Sequence, residues 1–440
     1  MLLSFRFANH RSFLDEQHLN LTPMYTRSDE QVIADEAVPV VGIFGANASG
    51  KSNALHALAF MRRMAIDSDR AVEPELNLID RECFHLDPVA QDNPSRYVVD
   101  LSINGVRHTY GFTINDECIL EEWLYYYPLK KRRRVFEREG DEYSWGDESR
   151  KQTDLERISS ITAPTALFLS TVARFSRRGV ISDGPEPQPL HDTYRWFFRT
   201  RARSRPGGRP MHVLGRVFPE SEENRRIIID LLRAADIGIL DVLVYQPTEQ
   251  ETLFDLEDYD GVSRTSTRTQ RLSAVPPRNR KRLFFSHRGP NGPGLIPIEQ
   301  ESTGTQQLLD LSIDAAVILK DGGTMTVDEI DASLHPMLTA KLIGLFKSKS
   351  TNPHQSQLIF TSHDAALLGT FDTEEVLARD EIWFTEKGED GTSTLYPLTE
   401  FKPRREGENR QRRYLNGNYG GVPDLSTYLF ERALAGRDDE

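Results

Sequence analysis

The octapeptide Gly45-Ala46-Asn47-Ala48-Ser49-Gly50-Lys51-Ser52 leaves this chain few folds to choose from. It fits G-x-x-x-x-G-K-[ST], a loop whose glycines let backbone N–H groups curl around phosphate oxygens. The flanks are those the motif needs. Val38 to Phe44 is a short β-branched apolar run that predicts a buried strand, and Ala54, Leu55, Leu58, Met61 and Ala65 recur behind it at helical spacing. Strand, turn and helix in that order aim a helix N-terminus at an anion. Within the loop, Asn47, Ser49, Gly50, Lys51 and Ser52 are the candidate nucleotide-binding residues, with Lys51 supplying a point charge and Ser52 a ligand for Mg²⁺.

The rest of the composition excludes more than it assigns. No apolar run approaches the roughly 18 residues of a membrane helix. The N-terminus, Met1-Leu2-Leu3-Ser4-Phe5-Arg6-Phe7, lacks the apolar core of a signal peptide. Two cysteines, Cys83 and Cys118, cannot build a disulfide framework. The expectation is a cytoplasmic protein with no membrane partner. A net charge of −13 argues against a surface that coats nucleic acid throughout. Basic residues nevertheless cluster in four islands: Lys130 to Arg134; Arg195, Arg199, Arg201, Arg203, Arg205 and Arg209; Arg278, Arg280, Lys281 and Arg282; and Arg404, Arg405, Arg410, Arg412 and Arg413. Such islands suit a confined nucleic-acid groove, an interface between subunits or solvated loops.

Alternation at Ser4–Phe7 and His18–Leu21 predicts two antiparallel strands, and Asn104-Gly105 marks a hairpin turn between strand-like runs at Tyr97–Leu101 and Arg107–Phe112. Another such run covers Trp123–Tyr127. From about Pro189 to Ala235 the pattern is helical, interrupted by a loop at Arg205-Pro206-Gly207-Gly208, and Asp255 to Arg282 is a polar stretch expected to be a loop or extended hairpin. After Gly323 a βα rhythm returns. The tail ends in a turn at Asn416–Gly421 and an amphipathic helix over Leu425–Leu434. The expected division is 1–185, a first ATPase lobe; 186–240, an inserted helical lobe; 241–400, a second ATPase lobe; and 401–440, a charged tail and helix.

Four segments give the loop a chemistry. Glu301-Ser302-Thr303-Gly304-Thr305 opens a helix, so that Ser302 and the Gly304 amide sit where an anion is attracted. Thr324 to Val327 is a short strand that ends in Asp328, a candidate Mg²⁺ ligand, and Glu329, a candidate base for the attacking water. Ile330-Asp331-Ala332-Ser333 follows at once. Leu358 to Thr361 is a second strand, which delivers His363. Each alone is unremarkable as a cap or a pair of acids. Together, in this order, they are the parts that phosphoryl transfer to water needs, which are positioning and charge neutralisation.

In that order the chain resembles the ABC-type ATPases of the RecF and SMC class. Within that class it is similar to the compact prokaryotic ATPases of anti-phage and abortive-infection systems, OLD-like but without a TOPRIM nuclease. Phe5 to Phe13 resembles the family's opening strand, Gly45–Ser52 its Walker A motif, Glu301–Thr305 its signature and Thr324–Glu329 its Walker B motif. Asp331 falls in its D-loop and His363 at its switch histidine. The signature carries Thr303 in place of the familiar first glycine, and no Q-loop glutamine stands out near Glu82–Asp87, Gln91 being the nearest. The resemblance implies an α/β fold: an ABC-type P-loop core, an antiparallel β subdomain and an inserted helical lobe. It implies ATP and Mg²⁺ as cofactors. It also implies a homodimer or higher homo-oligomer whose ATP sites are completed in trans by Ser302 and Gly304. The implied function is a hydrolysing switch that senses and regulates, with a nuclease or toxin from a neighbouring gene as effector. The alternative is a RecF-like repair ATPase that binds DNA through the basic islands.

Overall fold

The structure, a computed structural model, describes residues 1–24, 37–70, 78–177, 188–203, 209–235, 238–245, 281–371, 373–404 and 408–423. The expected helix over Leu425–Leu434 lies outside them, as do all but the last two residues of the polar stretch Asp255–Arg282.

The N-terminal alternation becomes β1 (Leu2–Ala8), paired antiparallel with β2 (Gln17–Asn20). The next strand, β3 (Val40–Gly45), enters a different sheet. The first sheet continues from β1 as a meander through β4 (Ser95–Ile103), β5 (Val106–Ile114), β6 (Ile119–Tyr126), β7 (Arg133–Glu139) and β8 (Glu142–Trp145). Asn104 and Gly105 make the β4–β5 turn with φ of 51° and 74°, the paired positive values of a type I′ hairpin. The helices α1 (Lys51–Asp67), α2 (Pro88–Asp92), α3 (Thr153–Ser160), α4 (Phe168–Arg177) and α5 (Gln188–Arg199) accompany this sheet.

The second sheet has six strands in the order β18-β17-β3-β14-β13-β9: β9 (Arg201–Arg203), β13 (Thr324–Val327), β14 (Gln357–Thr361), β17 (Ile382–Lys387) and β18 (Ser393–Pro397) around β3. All neighbours are parallel except the edge strand β18, antiparallel to β17. β3, β13 and β14 are buried along their whole length, which is why they read as continuous apolar or β-branched runs. Helix α1 lies between the sheets. Its Phe60 ring stands 5.1 Å from Tyr97 of β4, and it packs against β3 and β14 as well. At the far end of β14 a buried amide joins the sheets: Gln357 Nε2 donates to the carbonyls of Leu2 (2.9 Å) and Val38 (3.2 Å), while Oε1 accepts from the Leu2 amide at 2.5 Å.

Contacts divide the chain into two units along other lines than 185, 240 and 400. One comprises 1–204, 322–331 and 339–440, the other 205–321 and 332–338. The stretch read as helical from 189 to 235 is split between them. α5 packs on α1 and α4 in the first unit, and Arg201–Arg203 is a strand that pairs with Met325–Val327 at the sheet edge. Arg-Ala-Arg is too short to show a periodicity, so the pairing is decided by the open edge of β13 rather than by local preference. The second unit holds α6 (Met211–Val217), α7 (Glu222–Ala234), an antiparallel sheet of β10 (Ile239–Tyr245), β11 (Arg282–Gly289) and β12 (Gly292–Pro297), and α8 (Thr303–Asp321). Arg209 forks onto Asp310 (2.7 Å) and Asp314 (2.7 Å) of α8. The chain continues through α9 (Pro336–Lys347), a ribbon of β15 (Thr370–Phe371) and β16 (Glu374–Glu375), and α10 (Arg410–Leu415). Among the described residues, no helix is long and apolar enough to cross a membrane.

Candidate nucleotide site

The loop after β3 is held by residues far away in sequence. Ser49 Oγ lies 2.6 Å from Thr385 Oγ1 of β17. Gly50 has φ of 111°, and a Cβ there would come within 2.6 Å of Ser393 Oγ, so only glycine fits. Ser393 Oγ in turn donates to Ser12 Oγ at 2.8 Å, and Asn53 Nδ2 donates to the same Ser12 Oγ at 2.8 Å. No side chain caps the N-terminus of α1, whose first N–H groups therefore face the loop without an intrahelical partner. Lys51 is buried, and its Nζ donates to the carbonyls of Gly45 and Ala46, both at 2.7 Å. Burial lowers the ammonium to about 8, against the pull of Asp328, Glu329 and Asp331. Asn47 stands exposed at the loop tip.

The acids meet this loop from β13. Asp328 is buried, and its Oδ1 accepts from Ser52 Oγ at 2.9 Å and Thr361 Oγ1 at 2.6 Å. Glu329 adopts φ of 51°, a left-handed conformation that costs a non-glycine residue on the order of 1–3 kcal/mol and clusters at functional sites. Its amide donates to Thr361 Oγ1 at 2.8 Å, and its carboxylate lies 3.5 Å from His363 Nε2. Ser52, Asp328, Glu329 and His363 are thus brought together, and Asp331 is near enough for its charge to bear on Lys51. The set suits a nucleotide with a hard cation. Mg²⁺ takes one or two protein oxygens and leaves its other positions to water and phosphate, and Ser52 and Asp328 offer that many.

Ser302 and Gly304 belong to the second unit. Ser302 caps α8, with its Oγ accepting from the Thr305 amide at 3.1 Å. Gln306 Nε2 ties the turn to the carbonyls of Ile298 and Glu301, both at 2.9 Å, and the Glu301 carboxylate meets His287 at 2.6 Å. A Cβ on Gly304 would come within 2.7 Å of the Ser333 carbonyl.

Ser12, Thr361, Thr385 and Ser393 were not among the sequence candidates as site residues, because single hydroxyls in polar segments carry no local signal. Near the expected Q-loop position it is Glu82 that approaches α1, 3.5 Å from His56 and ion-paired with Arg11. Gln91 donates instead to the nearby His85 carbonyl. Several basic islands have structural work. Arg133 pairs with Glu148 (3.0 Å), Arg134 with Glu137 (2.5 Å), and buried Arg410 with Glu375 (2.7 Å). Arg195 and Arg199 line a cavity of about 590 Å³ with Trp196 and His354, beside Gly323 and Gln355, which precede the starts of β13 and β14.

A phosphate loop, a neighbouring strand that leads to a histidine and an acid-ended strand next beyond it, on a largely parallel sheet, define a P-loop ATPase-type domain. Residues 40–369 match the family described as "AAA domain, putative AbiEii toxin, Type IV TA system", and the chain belongs to that AAA-domain family. Among solved structures it is similar to an SMC head bound to the C-winged helix domain of ScpA, with 12% identity and a TM-score of 0.44 over 91% of this chain and 99% of that one. It is also similar to the SMC head domain from Thermotoga maritima, with 13% identity and a TM-score of 0.39 over 90% and 98%. No curated protein matches the chain.

Proposed function

We propose that the chain binds ATP with Mg²⁺ and hydrolyses it, and that the cycle is a conformational switch in a prokaryotic anti-phage or abortive-infection system. The observation that carries the enzymatic part is the convergence of Lys51, Ser52, Asp328, Glu329 and His363 beside the phosphate loop. Loop amides, the α1 N-terminus and Lys51 hold the β- and γ-phosphates. Ser52 and Asp328 hold Mg²⁺, which when bound neutralises charge on the phosphate oxygens. Glu329 accepts a proton from the attacking water, and His363 orients that carboxylate from 3.5 Å. The family's description, which names a toxin and a toxin–antitoxin system, supports the defence setting. A separate effector such as a nuclease is the damaging partner in this reading.

Ser302 and Gly304 of one chain complete the ATP site of another in a head-to-tail homodimer or larger assembly, with Asp331 at the same junction. The test is a complementation. Ser302→Arg puts bulk and charge into the closure, so it keeps ATP binding and loses hydrolysis. Mixed with Lys51→Ala it regains part of the phosphate release, because a mixed dimer contains one site with both residues intact. Wild-type hydrolysis by Ser302→Arg alone sinks the signature assignment. Absence of recovery in verified mixed dimers sinks trans completion by independently firing sites.

A further inference from the structure

The described part of the chain ends in a turn that comes back to the phosphate loop. After α10, Gly417, Gly420 and Gly421 adopt φ of 76°, 67° and 64°. A Cβ on Gly421 would stand 3.5 Å from the Gly45 Cα and 3.3 Å from the Thr385 carbonyl, so backbone lies directly on backbone. Tyr414, buried, donates its hydroxyl to the Gly421 carbonyl at 3.1 Å. Burial pushes that hydroxyl up to about 12, opposed by the polar backbone of Gly45. The hydroxyl therefore ties α10 to the residue whose backbone lies on the first glycine of the loop.

The turn is fixed from behind as well. The Phe384 ring stacks on Tyr414 at 5.5 Å and on Tyr419 at 5.7 Å, and Phe44, the residue before Gly45, meets Tyr414 edge-on at 6.4 Å. Tyr396 donates to the Tyr419 carbonyl at 3.0 Å. Tyr419 donates to Glu408 at 2.9 Å, and Arg413 pairs with the same carboxylate. None of residues 414–421 falls within the family match, which spans 40–369.

We propose that this C-terminal turn is a working part of the nucleotide site, in which Tyr414 and Gly421 are positioning residues that hold Gly45 where the loop can receive phosphates. The inference rests on the ATP reading above. Gly45 carries one of the two carbonyls that anchor Lys51, so a shift of Gly45 moves the cation as well as the loop amides. Residues that merely finished the fold would not need two glycines in left-handed geometry against β17 and the loop. Here the sequence spends them at Gly420, whose Cβ would come within 2.5 Å of the Tyr396 hydroxyl, and at Gly421.

The experiment uses the full chain and a fluorescent ATP analogue with Mg²⁺, alongside melting curves without nucleotide. Gly421→Ala is expected to weaken binding about tenfold, from left-handed strain placed against Gly45. Tyr414→Phe removes one hydroxyl and is expected to weaken it about threefold to tenfold, the span of a lost hydrogen bond. Gly417→Ala is the control: it carries similar strain at φ 76°, but its Cβ meets only Val422, at 3.4 Å. It should lower the melting temperature and leave affinity unchanged. Equal affinity for Gly421→Ala, Tyr414→Phe and wild type overturns the proposal, as does a loss with Gly417→Ala as large as with Gly421→Ala. If Gly421→Ala does not fold, Tyr414→Phe decides alone. If the wild type binds no nucleotide, the ATP reading falls and takes this inference with it, an outcome distinct from wild-type binding that the variants share.

Discussion

The phosphate loop and the turn at Ser302 both place a serine at the start of a helix, and they are held in opposite ways. Ser52 reaches Asp328, 276 positions away, while Ser49 reaches Thr385, 336 positions away. Ser302 caps Thr305 three residues on, and Gln306 closes the turn onto Glu301. α1 begins without a side-chain cap, whereas α8 makes its own. A helix start that is to receive an anion leaves its donors free and borrows rigidity from the rest of the fold. A self-capped start is complete as it stands. The Ser302 hydroxyl also meets Thr305 Oγ1 at 2.9 Å, so it offers a proton outward only with Thr305 as the donor of that bond.

The strongest way to break this contrast is Lys51→Ala. The loop amides alone leave the β/γ charge uncompensated, so calorimetry should register no ATP binding; unchanged affinity would falsify the loop assignment. Glu329→Gln comes next. It keeps the shape and loses the base, and hydrolysis should drop by about 10²–10⁴ while ATP still binds. Wild-type turnover would mean that another group takes the proton.

A pH series sharpens the comparison at intermediate size. The Lys51 ammonium, lowered to about 8 in the free protein, is pulled upward by phosphate charge. Below that pH it is protonated in both free and bound states and affinity is full. Above it, binding takes up a proton, so affinity should fall with rising pH by up to about tenfold per pH unit. Binding heats measured in buffers of different ionisation enthalpy should show the uptake near pH 9, and their absence would remove Lys51 from the contact. The smallest effect is expected from Ser302→Ala, which costs the α8 cap about 1 kcal/mol. Chemical denaturation should read that loss, and ATP affinity should stay as it was. A loss of affinity would show that the turn at Ser302 is not self-contained.

The parts legible in the sequence were those written in consecutive residues. The strand–loop–helix at 40–67, the Asn104-Gly105 hairpin and the acids after β13 each follow from a short pattern whose physics is local. His363 was legible because β14 was. What could not be read was the clasp around the loop. Ser12, Thr385, Ser393 and Gly421 meet it only through strand order, and β17 lies beside β3 although some 340 residues separate Thr385 from its partner Gly45. β9 escaped for a related reason, since Arg-Ala-Arg has no preference of its own and takes its conformation from Met325–Val327.

The amide of Gln357 has a mechanical consequence. β14 is five residues long, about 13 Å from its first to its last Cα. One end is Thr361, which grips Asp328 and the Glu329 amide, and the other is Gln357, bonded to Leu2 and Val38. A displacement begun at Thr361 cannot simply slide the two sheets past one another. It must either break the two buried hydrogen bonds to Leu2 or turn about them, so Gln357 is a pivot, and the antiparallel sheet moves as the far arm of a lever only one strand long.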